Sequence, residues 1–298
     1  MIALPLIFAM AVFPNQGKST VEQAMTWLPT DTETMVVAQG SGFTSPYIGK
    51  SSGPSIMAWP TGFSEGKLKG FTALTATSII FGSRKFHYPD SIGVGWFEGA
   101  WIANLTDASL ATAKEILAKT KFNSSALAGH SVLSCSEKAN AAEIHHFYVV
   151  VIDHTLIVAT NTNYLKALLE RIATKPTDRS LPDSLEEWKF VDKTANFWAI
   201  RHINPATQLK NWGLDMGDKD TRGYGVSLAK NGDLRVVKLS DNPRGFEIAK
   251  TYWGSDELKP IVTKLTNSAT EILIDKDPKQ LGMGFFFLTI AMGYAIAI

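Results

Sequence analysis

Gly49-Lys50-Ser51-Ser52-Gly53 has the G-x-S-x-G spacing in which a sharp strand-to-helix turn exposes a nucleophilic serine. Ser51 is the candidate nucleophile for a hydrolase, and a triad can be written with Asp153 as the acid and His202, the last histidine, as the base. The flanking residues argue against it. Ser41, Gly42, Pro46 and Pro54 make the surroundings loop-like, with no continuous apolar strand before Gly49 and no helix signal after Gly53. Phosphate-binding loops fare no better. Gly17-Lys18-Ser19 resembles the end of a Walker loop, but Val12 occupies the required earlier glycine position. Gly93 and Gly95 lack the third glycine of a dinucleotide fingerprint, because position 98 is Glu98.

Metal chemistry has two candidates. His145, His146, Asp153 and His154 cluster in the sequence, yet an extended 144–151 segment sends His145 and His146 to opposite faces. It also places His154 about 20 Å from them at about 3.3 Å per residue. Asp215, Asp218 and Asp220 suggest a loose calcium site. A calcium loop starting at Asp218 would put Arg222 at its fifth position and Ala229 where a bidentate acid is needed, so that motif fails. No resident cofactor is indicated. The eight tryptophans, at 27, 59, 96, 101, 188, 198, 212 and 253, offer a surface for a peptide, protein or glycan ligand, against the plainer expectation that they fill the core.

The elements that would position these residues follow from caps, periodicity and turn signals. Thr106 and Asp107 cap a helix whose Leu110, Ala113, Ile116 and Leu117 share one face, ending near Lys119. A second helix starts at Asn161 or Thr162, with Tyr164, Leu165, Leu168, Leu169 and Ile172 at helical spacing. It follows strands at 146–151 and 156–159, and further strands are expected at 35–38 and 270–274. Asn231-Gly232 signals a hairpin. A three-residue loop with Gly232 left-handed pairs Leu228 with Leu234 and Val226 with Val236.

These elements predict an α+β fold of two similar-sized portions, 25–175 and 186–298, each with an antiparallel sheet and a closing helix. The Pro-bearing stretch 174–183 reads as a linker or long loop between them. Comparable openings at Trp27 and Trp188 suggest an internal duplication.

All 57 charged residues, 29 basic and 28 acidic, lie between Pro14 and Gln280. The apolar 1–13 segment has the length of a signal-peptide core, which predicts export to the periplasm or cell surface. Leu281–Ile298 is expected to be a final core helix, the alternative being a membrane anchor of 18 residues. A net charge of +1 leaves no excess for nucleic acid, and the single Cys135 excludes an internal disulfide. The segments Trp27–Glu33, Ile152–Arg171 and Phe197–Pro205, taken in order, resemble uncharacterised exported bacterial proteins carrying a domain of unknown function. That resemblance implies an envelope location and transfers no catalytic residue. The expectation is an exported, non-enzymatic binding or structural protein of the cell envelope, with a Ser51 hydrolase and a membrane-tethered protein as alternatives.

Overall fold

Residues 34–39, Thr-Met-Val-Val-Ala-Gln, form a strand (β1) that is buried on both faces except at its last residue, and that burial explains its place near the middle of the sheet. The computed structural model describes residues 21–39, 67–68, 70–71, 74–87, 96–138, 144–203, 220–254 and 258–291. In chain order these form α1 (Val21–Trp27), β1 (Thr34–Gln39), β2 (Ala76–His87), β3 (Trp96–Leu105) and α2 (Asp107–Lys119). Next come β4 (Asn123–Leu127), β5 (His130–Lys138), β6 (Ile144–Ile152), β7 (Thr155–Ala159) and α3 (Thr162–Thr174). A 3₁₀ turn (Glu186–Phe190) leads into β8 (Phe197–His202), β9 (Thr221–Leu228), β10 (Leu234–Ser240) and α4 (Gly245–Trp253). The described chain closes with β11 (Ile261–Lys264), β12 (Ala269–Ile274) and α5 (Pro278–Ala291).

The twelve strands make a single sheet in the order β11-β12-β10-β9-β8-β1-β2-β3-β7-β6-β5-β4, with every pairing antiparallel. The mixed α and β class is as expected. The arrangement differs from two separate sheets, because β1 pairs with β8 from Thr34↔Arg201 to Ala38↔Phe197 and joins both sets of strands. β8 is apolar on both faces over Phe197–Ile200, so it too gains by lying inside a sheet. The 174–183 stretch accordingly runs over a continuous sheet, with Leu181 buried and Arg179 paired to Glu22 and Asp183.

Helices cover both faces. On the first face Ala113 of α2, Ala249 and Trp253 of α4, and Leu281 and Leu288 of α5 pack over Val36, Ala38, Phe81, Trp101, Val158, Ala199 and Val236. On the second, Met25 of α1 and Tyr164, Leu165, Leu168 and Leu169 of α3 cover Met35, Val37, Ile80, Ile102, Trp198 and Ile200. Strand alternation assigns the faces, since neighbouring residues of one strand fall in opposite clusters.

Several local expectations hold. The Thr106 side chain caps α2 by accepting from Ser109 N–H, and Asn161 caps α3 by accepting from Asn163 and Tyr164. Leu228 pairs with Leu234, Val226 with Val236, and Gly232 has φ +95°. Within the described part of the tail, α5 lies on the sheet: a Cβ on Gly284 would come within 2.7 Å of Ile274 Cδ1. Among the described residues no helix is long and apolar enough to cross a membrane.

Candidate functional site

A set of charged residues on β2, β3 and β8 and the connectors beside them is aligned by the register. On the second face Glu98 of β3 pairs with Arg84 of β2. Arg84 Nε donates to Glu98 Oε2 at 3.0 Å and Nη1 to Asp31 Oδ2 at 2.6 Å, while its guanidinium lies 5.4 Å from the Tyr164 ring centroid. Burial works against the Arg84 charge, but its hydrogen bonds to the two carboxylates and their charges prevail and raise its pKa. The Tyr164 hydroxyl shares a 2.9 Å hydrogen bond with Thr32, and burial raises its pKa. The row continues through Glu33, whose N–H donates to the Ser83 carbonyl and whose carbonyl accepts from His202 N–H.

His202 ends β8 and holds the most distinctive contact. Its Nδ1 donates to Glu187 Oε1 at 2.9 Å. The Glu187 side chain is 3% exposed while that of His202 is 41% exposed, so a buried carboxylate orients a half-exposed imidazole. The backbone makes room for it. Gly223 of β9 pairs with His202, and a Cβ there would lie 2.3 Å from Glu187 Oε1 and 2.3 Å from the Arg201 carbonyl oxygen. Glu186, the preceding residue, accepts from Arg222 Nη2 at 3.0 Å, and Arg222 Nε lies 2.8 Å from Asp241 Oδ1. The hydrogen bond to Glu187 raises the His202 pKa; burial opposes it, the Glu187 and Glu33 charges reinforce it, and Arg222 opposes it.

The first face carries a polar row of its own, one residue along the same strands. Ser83, Thr34, Arg201, Tyr224, Lys238 and Thr270 follow one another in register on β2, β1, β8, β9, β10 and β12. Lys238 is 1% exposed, and all the others except Arg201 are also buried. A lysine side chain buried this deeply is costly unless its nitrogen is hydrogen-bonded or paired, so this row is a feature that the fold maintains at a cost.

Among the described residues the sequence candidates are not brought together. Ser51, Asp215 and Asp218 lie outside the described residues; Asp220 sits in an exposed turn whose carbonyl accepts from Asp241 N–H. Asp153 cannot serve His202. It sits in the β6–β7 turn, while β7 and β8 are four strand positions apart, about 19 Å at about 4.8 Å per strand. The register also places them at opposite ends of their strands, since Thr155 leads through Asn104 and Ser78 to Gln39, at the Phe197 end of β8. His146 and His154 have separate partners, Ser136 Oγ at 2.9 Å and Asp107 Oδ1 at 3.1 Å. Among the described residues no group of three or more His, Cys, Asp or Glu is placed to hold a metal ion.

Tryptophan placement favours the core. Trp101, Trp198 and Trp253 are buried, and Trp188 packs edge-on against Trp198 at 5.7 Å with Lys193 Nζ 4.1 Å from its ring centroid. Trp59 and Trp212 lie outside the described residues. Glu187 and Arg222 were not singled out by sequence reasoning. Glu186-Glu187 belongs to no motif, and the glycine that receives Glu187 is brought opposite it only by the strand pairing.

Comparison with known proteins returns no matching family model, no matching curated protein and no matching solved structure.

Proposed function

We propose that this chain is an exported, non-enzymatic protein that acts as a binding or structural component of the cell envelope. One observation carries the non-enzymatic part. Three sets of charged side chains on the strands and their connectors are matched: Arg84 with Asp31 and Glu98, His202 with Glu187, and Arg222 with Glu186 and Asp241. Groups so matched tie strands and connectors together. Export rests on the uncharged apolar 1–13 segment, and envelope residence on the resemblance of the three segments quoted above. Fractionation of cells expressing the tagged full chain tests this: recovery outside the cytoplasm supports export, and exclusive cytoplasmic recovery refutes it.

An internal duplication is part of the same reading. The strand order β1-β2-β3-β7-β6 corresponds to β8-β9-β10-β12-β11, and in each set a helix follows the third strand and another follows the strand beside it. Trp27 closes the helix before β1 and Trp188 lies in the 3₁₀ turn before β8, which supports the correspondence. The β4–β5 hairpin is then an addition to the first unit.

The His202–Glu187 pair favours a second reading, a serine hydrolase in which Ser51 is the nucleophile and Glu187, instead of Asp153, orients the imidazole. A fluorophosphonate probe separates the two. Labelling abolished by Ser51→Ala and by His202→Gln establishes the hydrolase; absence of Ser51-dependent labelling supports the binding protein. The buried contacts of Leu281, Gly284 and Leu288 favour a core helix over a membrane tether for the described part of the tail.

A further inference from the structure

We propose that His202 and Glu187 form a proton-operated latch, which holds the 186–190 turn on the sheet while the imidazole is protonated and releases its Glu187 end when that proton leaves. The latch stands on the geometry of the turn, and it holds whichever ligand or partner the protein has. The turn is fixed at two ends by different physics. Its Phe190 end is held without titration: Phe190 packs on the patch formed by Val237, Leu239 and Ala269, and its carbonyl accepts from Arg235 Nη1 at 3.0 Å. Two residues further on, Asp192 N–H donates to Ser227 Oγ at 3.1 Å. The other end rests on Glu187, almost wholly buried and seated on the bare Cα of Gly223, with the His202 imidazole as its hydrogen-bond donor.

A carboxylate buried to that degree needs a compensating charge. The imidazolium supplies one at 2.9 Å, and a neutral ring supplies only a dipole. Among the described residues, the other charged groups that act on His202 are either acidic or already engaged by acids. Glu33, on the strand beside it, is acidic and favours the proton. Arg222 of β9 opposes the proton but is held outward by Glu186 of the same turn and Asp241 after β10. Arg84, beyond Glu33, is held by Asp31 and Glu98. The sign follows. A histidine whose folded-state pKa lies above its ordinary value closes the latch at and below the ordinary histidine range, and the latch weakens as pH rises through the raised value. Release leaves Phe190 seated, Glu186 bridged to Arg222 and Trp188 packed on Trp198, and loosens the turn only where Glu187 was held, so the change is local.

Hydrogen exchange of the full chain, followed by mass spectrometry from about pH 6 to about pH 9 and corrected for intrinsic rates, tests this. Protection of amides 185–189 should fall with rising pH, about tenfold for each unit by which the folded His202 pKa exceeds its unfolded value. Amides of α3 should show no such step. In His202→Gln, which keeps an N–H donor but no titratable charge, protection at 185–189 should be low and flat. Should that variant fail to fold, the wild-type step must coincide with the NMR titration midpoint of the His202 ring. A flat wild-type profile, a step that survives His202→Gln, or a midpoint that does not match the ring overturns the latch.

Discussion

The Glu187 carboxylate lies directly on Gly223 and accepts the Nδ1–H of His202, the residue paired with that glycine across β8 and β9. A methyl group at position 223 would need the space of both Glu187 Oε1 and the Arg201 carbonyl oxygen, and the backbone oxygen cannot step aside. Gly223→Ala should therefore destabilise the protein by about 2 kcal/mol or more, as overpacking against a fixed strand does. Urea denaturation would show a lower midpoint with an unchanged slope.

The pH dependence of stability has a definite sign. His202 has a raised folded-state pKa, so the stabilisation it contributes is fully present below the unfolded-state value and is lost as pH rises through the folded-state value. Wild type should exceed His202→Gln in denaturation midpoint at about pH 6, and the two should converge in mildly alkaline buffer. A gap that widens with pH would contradict the assignment.

Two glycines in α5 should respond in opposite directions. Among the described residues nothing lies within 4 Å of a Cβ built on Gly282, so Gly282→Ala should stabilise the helix by about 0.5–1 kcal/mol. Gly284→Ala would press on Ile274 Cδ1 at 2.7 Å and should destabilise by about 1–3 kcal/mol. Leu281→Ala should cost about 2–4 kcal/mol, since Leu281 is 2% exposed in the first-face core. Thermal or urea melts of the three variants check this, and equal tolerance of all three would mean that α5 does not dock on the sheet.

Tyr164 links α3 to the loop before β1 through its buried hydrogen bond to Thr32 and its ring beside Arg84. Tyr164→Phe keeps the ring and removes the hydroxyl, leaving Thr32 without that partner. The expected loss is about 1–2 kcal/mol in denaturation free energy. Retention of full stability would mean that the hydroxyl contributes nothing net.

What the chain discloses on its own is local. Thr106 and Asn161 as caps, the Leu228–Leu234 register and the apolar face of α3 follow from periodicity and turn chemistry within a few residues. The single sheet was not legible, because the pairing of Thr34 with Arg201 joins residues far apart in sequence and two short apolar strands carry no mark of their partner. The charged row was hidden for the same reason. Arg84, Glu33, His202 and Glu187 are dispersed along the chain, and only the β2-β1-β8-β9 order brings them side by side. His202 entered the sequence reading as a base for Ser51 with Asp153; the fold gives it Glu187, which no motif marks.

Whether the matched charges belong to the fold is tested most directly by a double-mutant cycle of His202→Gln and Glu187→Gln, measured by urea denaturation at about pH 6. A favourable coupling of about 1–2 kcal/mol is expected for a charge-assisted hydrogen bond between a buried carboxylate and a half-exposed imidazole. Coupling indistinguishable from zero, with both single variants as stable as wild type, would contradict it and leave the pair available for chemistry.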